Sequence, residues 1–233
     1  MAHQVPTSTV RRRTPETSGY AKGDLVQERI LGVAMEVFGE VGFKAATTRR
    51  IADAAGVQLP AIQYYFQNKE GLYLACAQEI VQGYRHHMGS SATKAHEVLK
   101  GPANTARARA ALCELMEALL SLLVGTSDTR HWAAFIARET SDKGPAYEIL
   151  YANVWSPGVE LTARLIARIR REKDVTPLAR VQALLLISGA MVLQSSGSVS
   201  RRLLNWSTIG NEERETVMAA LNAQIAALEQ SGA

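Results

Sequence analysis

The 233-residue sequence predicts an all-α protein on three observations. Apolar residues recur at helical spacing along most of the chain, no segment shows the period-two alternation of a strand, and 17 glycines and 7 prolines are too few for disorder. A hydrophobic content of 47% suffices for one good core or two modest ones.

Ile30, Ala34, Val37, Phe38 and Val41 place an amphipathic first helix over residues 24–41, closed by Gly42. A second, short helix starts at Thr47, whose hydroxyl can accept an orphan backbone N–H as Arg49, Arg50, Ile51 and Ala52 enter the helix. Ile51 and Ala55 share its inner face. Gly56 ends it, because the residue just past a helix often needs positive φ and glycine carries no Cβ to oppose that. Val57 closes the turn with apolar contact. The third helix has Pro60 in its first turn, where a missing N–H is harmless, and turns Ile62 and Phe66 inward while Gln63, Tyr64 and Tyr65 point variously outward.

Asn68 is the expected N-cap of a fourth helix, from Lys69 to about residue 98, whose middle is weakened by Gly83 and the stretch HHMGSSAT. Further helices follow through Leu112, Leu115, Met116, Leu119, Leu120 and Leu123, and through Trp132, Phe135 and Ile136 up to an SDKGP break. Tyr147, Ile149, Leu150, Tyr151 and Val154 mark another before a WSPG break, and Leu161, Leu165, Ile166 and Ile169 the next. Residues 177–195 are apolar almost all round, with Ser188, Gly189 and Ala190 in the middle, which suits close burial between other helices. Val217, Leu221, Ile225 and Leu228 stripe the last helix.

Two short helices joined by a turn and followed at once by a third helix start have the build of a DNA-reading unit. Residues 28–75, ERILGVAMEVFGEVGFKAATTRRIADAAGVQLPAIQYYFQNKEGLYLA, resemble the DNA-binding domain of the TetR family of transcriptional regulators. Ile30, Leu31, Ala34, Phe38, Gly42-Phe43, Thr47, Ile51-Ala52, Ala55-Gly56-Val57, Tyr65-Phe66, Lys69-Glu70 and Leu72 carry that resemblance. Gln58-Leu59-Pro60 and Gln63 depart from the usual family residues, so the operator sequence does not follow. AAFIARETSDKGPAYEILYANVWSPG similarly resembles the C-terminal domain of CecR-like members.

The resemblance implies a sequence-specific regulator, most often a repressor released from a pseudo-palindromic operator in double-stranded DNA by a small-molecule effector. It implies a homodimer through the last two long helices, which would set two reading heads on successive major-groove faces; completion of each monomer core is the other use of those helices. Thr47, Arg49 or Arg50, Tyr64 or Tyr65, and Lys69 with nearby backbone N–H groups are the expected phosphate contacts. Gln58, Leu59, Pro60 and Gln63 are the expected base readers, glutamine toward an adenine edge and the apolar pair toward a thymine methyl. Tyr65 fits the domain core as well, and Arg49 and Arg50 fit a solvated helix face. Trp132, Phe135, Arg138, Tyr147, Tyr151 and Trp155 are the candidates for a ligand pocket, with Arg138 suited to a carboxylate or phosphate; plain core packing is the alternative for each aromatic ring.

The chain accordingly divides into a flexible basic N-terminal arm (1–22), a helix-turn-helix DNA-binding domain (23–70) and a larger helical ligand-binding and dimerisation domain (71–233). The net charge of +4 is unevenly placed. Residues 1–22 hold Arg11, Arg12, Arg13 and Lys22 against Glu16, whereas residues 23–70 hold five basic and six acidic residues. Such an arm can lie along phosphates or enter a minor groove; a solvated leader is the alternative.

No nucleophile elbow, phosphate-cradling glycine loop or His-Glu-x-x-His helix is present, so neither an enzyme nor a cofactor is indicated. His86 and His87 are adjacent and face different ways on a helix, and His96 and His131 are isolated, so no metal site is expected. Cys76 and Cys113 form no disulfide framework, residues 1–22 lack the apolar core of a signal peptide, and the apolar run 183–193 is too short to span a bilayer. A cytoplasmic protein away from the membrane is the expectation. A helical partner-protein adaptor that has kept the fold and lost DNA binding is the competing function.

Overall fold

The computed structural model describes residues 17–125, 127–195 and 197–229, and within them all side chains except those of 17–22, 125, 127–130, 192–195 and 197–198. The arm therefore lies outside the described residues as far as residue 16; from Thr17 onward the backbone is already helical. Among the described residues the secondary structure is entirely helical.

Helix α1 (Thr17–Ala45) is longer than its apolar stripe suggested, but it breaks where expected, with Gly42 at φ 78°. Helices α2 (Thr48–Ala55) and α3 (Leu59–Phe66) form the helix-turn-helix. Helix α4 (Lys69–Lys100) begins at Asn68, whose Oδ1 accepts the Gly71 N–H at 2.8 Å. It runs unbroken through Gly83 and the HHMGSSAT stretch, contrary to the sequence expectation. Tertiary packing overrides the weak local propensity there: Met88 and Ala95 are buried in the second core, Ser91 is buried too, and Gly83 admits a tryptophan ring.

Helices α5 (Thr105–Gly125) and α6 (Ser127–Asp142) follow, then α7 (Tyr147–Leu150). The expected WSPG break is absent. A π-turn (Tyr151–Trp155) leads directly into α8 (Ser156–Ile169), with the Ser156 N–H bonded five residues back to the Tyr151 carbonyl. The wider turn accommodates Pro157, and the Asn153 side-chain amide donates to the Ile149 carbonyl at 2.9 Å. Helices α9 (Pro177–Ser195), α10 (Gly197–Leu204) and α11 (Asn211–Ala227) complete the chain; the short α10 had no counterpart in the sequence reading.

Two cores result. The first joins Ile30, Ala34, Phe38, Ile51, Ile62 and Phe66 with Leu72, Tyr73, Cys76 and Ile80 of α4, and also takes in Phe135, Ala146 and Leu150. It therefore extends well past residue 70. The second joins α4, α5, α8, α9 and α11 through Leu112, Met116, Leu165, Ile166, Ala183, Leu221 and Ile225.

Helix α9 is not buried all round within one chain. Ala179, Ala183, Leu186 and Ala190 face the core, while Leu178, Val181, Leu184 and Leu185 are 50 to 66% exposed and Ser188 and Gly189 are exposed too.

Candidate nucleic-acid interface

The reading head is built on short-range rules. Thr47 is extended (φ −122°), and its Oγ1 accepts the Arg50 N–H at 3.1 Å, which caps α2. Gly56 ends α2 in the left-handed conformation (φ 63°), and the Val57 N–H returns to the Ala52 carbonyl at 3.0 Å. Ile51, Ala52 and Ala55 anchor α2, while Ile62 and Phe66 anchor α3. Gln58 is the N-cap residue of α3, without a side-chain cap, and Pro60 lies in its first turn.

With those anchors inside, Gln58, Leu59, Pro60, Gln63 and Tyr64 are all exposed, Tyr64 to 81%. They form one contiguous surface. Tyr65 is half-buried and packs on the first core, meeting Tyr64 edge-on at 5.0 Å between ring centroids. A Cβ on Gly23 would sit 3.5 Å from the Tyr65 hydroxyl, so the start of α1 lies against α3.

The cationic residues of the head are less free than their sequence positions suggest. Lys69 donates from Nζ to the carbonyls of Phe43 at 3.0 Å and Ala46 at 3.2 Å, and its ammonium lies 4.5 Å from the Phe43 ring centroid. It ties the start of α4 to the α1–α2 link. Arg50 pairs with Glu40 at 2.6 Å on the surface, and Arg49 is exposed.

The six residues expected to line a ligand pocket do not converge. Phe135 is 1% exposed inside the first core, against Phe38 and Tyr73. Trp132 packs on both cores and lies across Gly83, where a Cβ would come within 2.0 Å of its ring. Arg138 points toward the head and donates to the Glu40 carbonyl at 2.9 Å. Tyr147, Tyr151 and Trp155 form a separate group, with Tyr147 stacked on Tyr151 at 6.2 Å and edge-on to Trp155 at 5.4 Å. An open cleft of about 340 Å³ lies nearby, lined by Gln78, Val81, Gln82, Arg85, Ile149 and Asn153, none of them among the six.

The sequence reading missed that α6 is clamped onto the head. His131 meets Glu36 at 2.9 Å, Gly39 lets Ala134 approach so closely that a Cβ there would be 2.7 Å away, and Glu139 accepts a hydrogen bond from the Tyr73 hydroxyl. Glu139 is fully buried and its other oxygen lacks a partner. Burial and the Glu139 carboxylate both push the Tyr73 hydroxyl pKa upward. Glu139 lies one helical turn beyond Phe135, and an acid on an apolar face was the available signal.

Comparison with known proteins agrees with this geometry. Residues 30–76 match the model of the bacterial regulatory proteins of the tetR family, and residues 108–231, more than half of the chain, match that of the C-terminal domain of the HTH-type transcriptional dual regulator CecR. The chain belongs to the TetR family. Members of that family are transcriptional regulators and not enzymes. The chain is 37% identical over 150 residues to the HTH-type transcriptional dual regulator CecR of Shigella flexneri, a match covering 63% of this chain and 65% of that protein, just under two thirds.

Solved structures share the TetR-family fold. AibR in complex with isovaleryl coenzyme A and operator DNA superposes with a TM-score of 0.59 at 15% identity, over 85% of this chain and 96% of that one. The SmeT–triclosan complex does so with a TM-score of 0.56 at 18% identity, over 84% and 91%. No helix among the described residues is long and apolar enough to cross a membrane.

Proposed function

We propose that the protein is a homodimeric repressor that holds a pseudo-palindromic operator and releases it when a small-molecule ligand binds the larger domain. The observation that carries this reading is the division of α3, in which Ile62 and Phe66 are locked inside while Gln58, Leu59, Pro60, Gln63 and Tyr64 stand exposed on a rigid support. Those five residues meet the major groove, Gln58 and Gln63 toward base edges and Leu59 and Pro60 toward thymine methyls. Thr47, Arg49, Arg50, Tyr64 and the N-terminus of α4 meet phosphates, with Tyr65 and Lys69 holding the shape of the head.

Dimerisation through α9 and α11 is supported by their outer faces. The exposed apolar residues of α9 lie opposite its buried ones, and α11 turns Leu221 and Ile225 inward while Ala219, Ala220, Ala223, Ala226 and Ala227 face out. A second copy would cover both faces and set two heads on one face of the duplex. Such a regulator works in the cytoplasm, beside the chromosome.

Ligand control is supported by the neighbours solved with isovaleryl coenzyme A and with triclosan. A ligand that fits better when the heads are wrongly spaced for DNA lowers DNA affinity by its differential affinity for the two shapes. Helix α4 is one lever and the α6 clamp is a second. Tyr147, Tyr151 and Trp155 stay candidates for ligand contact, whereas Trp132, Phe135 and Arg138 are better placed to transmit the shift. Selection of bound DNA from random sequence, with and without small-molecule extracts, tests the reading. A selected palindrome that is lost on adding an extract supports it, and failure to enrich any palindrome points to the protein-adaptor function instead.

A further inference from the structure

The open cleft between α4 and the π-turn holds an arginine and no acid. Gln78, Gln82 and Arg85 stand four and three residues apart on α4, so they share one face of that helix, and Ile149 and Asn153 form the opposite wall. The cleft measures about 340 Å³, and none of its six lining residues is acidic. Val81, only 6% exposed, and the half-buried Ile149 give it an apolar floor continuous with the first core.

Asn153 sets the guanidinium in place. Its Nδ2 donates to the Ile149 carbonyl at 2.9 Å, and its Oδ1 accepts from Arg85 Nη2 at 2.7 Å. Only the amide nitrogen can donate to a carbonyl and only the amide oxygen can accept from a guanidinium, so both ends are taken and the orientation is fixed. Asn153 belongs to the π-turn, a helix widening of the kind that recurs at functional sites. Arg85 has no ion pair among the described residues, and the rest of its donor fork stays open. The exposed side-chain amides of Gln78 and Gln82 border the same space. Arg138, the anion anchor expected from sequence, is instead engaged by the Glu40 carbonyl.

We propose that this cleft is a binding site for a small organic oxyanion, a carboxylate or a phosphate monoester carried on an apolar body, with Arg85 as its anchor. The planar fork takes two oxygens of the anion, the Gln78 and Gln82 amides donate beside it, and the apolar body lies on Val81 and Ile149. Its use as the effector site rests on the ligand-released reading above. One wall belongs to α4, whose Leu72, Tyr73 and Cys76 are packed in the core of the head, and the other to α7 and the π-turn, so an occupant spanning both favours one placement of α4 over another.

NMR titration of the full-length protein, following the arginine Nε–H and side-chain amide resonances, tests the site without DNA. Benzoate and phenyl phosphate are the two anionic probes, and benzamide is the neutral one. At least one anion should bind saturably with a Kd of about 5 mM or below, shifting the Arg85 and Asn153 resonances, and which one does so separates carboxylate from phosphate. Arg85→Gln should weaken that binding at least about tenfold, whereas Arg107→Gln, the same loss of charge at an exposed position on α5, should leave it unchanged. Three results would each overturn the proposal: no saturation by either anion up to about 20 mM, equal binding of benzamide, or equal loss in the two arginine variants. If the anion binds as expected and operator affinity does not move, the site stands and the ligand-released reading falls.

Discussion

Lys69 donates to two carbonyls more than twenty residues upstream, so its loss acts on the fold before it acts on DNA. Lys69→Ala is expected to destabilise the protein by about 1.5 to 3 kcal/mol, the range for hydrogen bonds to a charged group, seen as a lower urea midpoint. An unchanged midpoint would mean that Lys69 is free for phosphate after all. Tyr73→Phe removes the hydrogen bond received by a fully buried Glu139 whose other oxygen is already unpartnered, and should cost about 1 to 3 kcal/mol. Burial raises the pKa of Cys76 above its ordinary 9.0, and that of Tyr73 and Tyr84 above 10.0, in the folded state. Protons are then lost first from the unfolded chain, so stability holds below about pH 9 and declines as pH rises beyond it. Thermal melts between pH 8 and 11 check the sign, and a midpoint rising with pH would contradict it. At this scale the caps Thr47, Gly56 and Asn68 were legible in sequence because their partners lie within four residues. The partners of Lys69 and Arg138 were not, because they are set by how distant segments fold together.

At the scale of elements, α6 is held to the head by close approach. Gly39 has no room for a Cβ beside Ala134, and Gly83 has none beside Trp132. Gly83→Ala should force the Trp132 ring off α4 and cost about 1 to 3 kcal/mol by overpacking. It should also change the operator affinity measured with and without ligand, because it loosens the element that joins the larger domain to the head. A variant with wild-type melting and wild-type ligand response would remove Trp132 from the coupling route. Helical periodicity was enough to place α2, α3, α5 and α8. It wrongly broke the chain at WSPG, because the π-turn that absorbs Pro157 is a backbone adjustment and leaves the apolar pattern unchanged.

For the whole molecule, the exposed face of α9 is the surface on which the proposed dimer rests. Leu185→Glu, at a position 66% exposed in the single chain, should give monomers by sedimentation and weaken operator binding at least about a hundredfold, since one head loses its tethered partner. A dimer that survives this change would place the interface elsewhere. The sequence by itself determined the helical class, the helix-turn-helix and its caps, because each follows from apolar spacing and from hydrogen bonds within a turn. It also determined the uneven charge between arm and head. Only the tertiary structure decided that Lys69 and Arg50 are engaged, that the six aromatic and arginine candidates part company, and that α6 clamps the head. Those outcomes depend on contacts between segments tens of residues apart, and a linear pattern carries no distance between such segments.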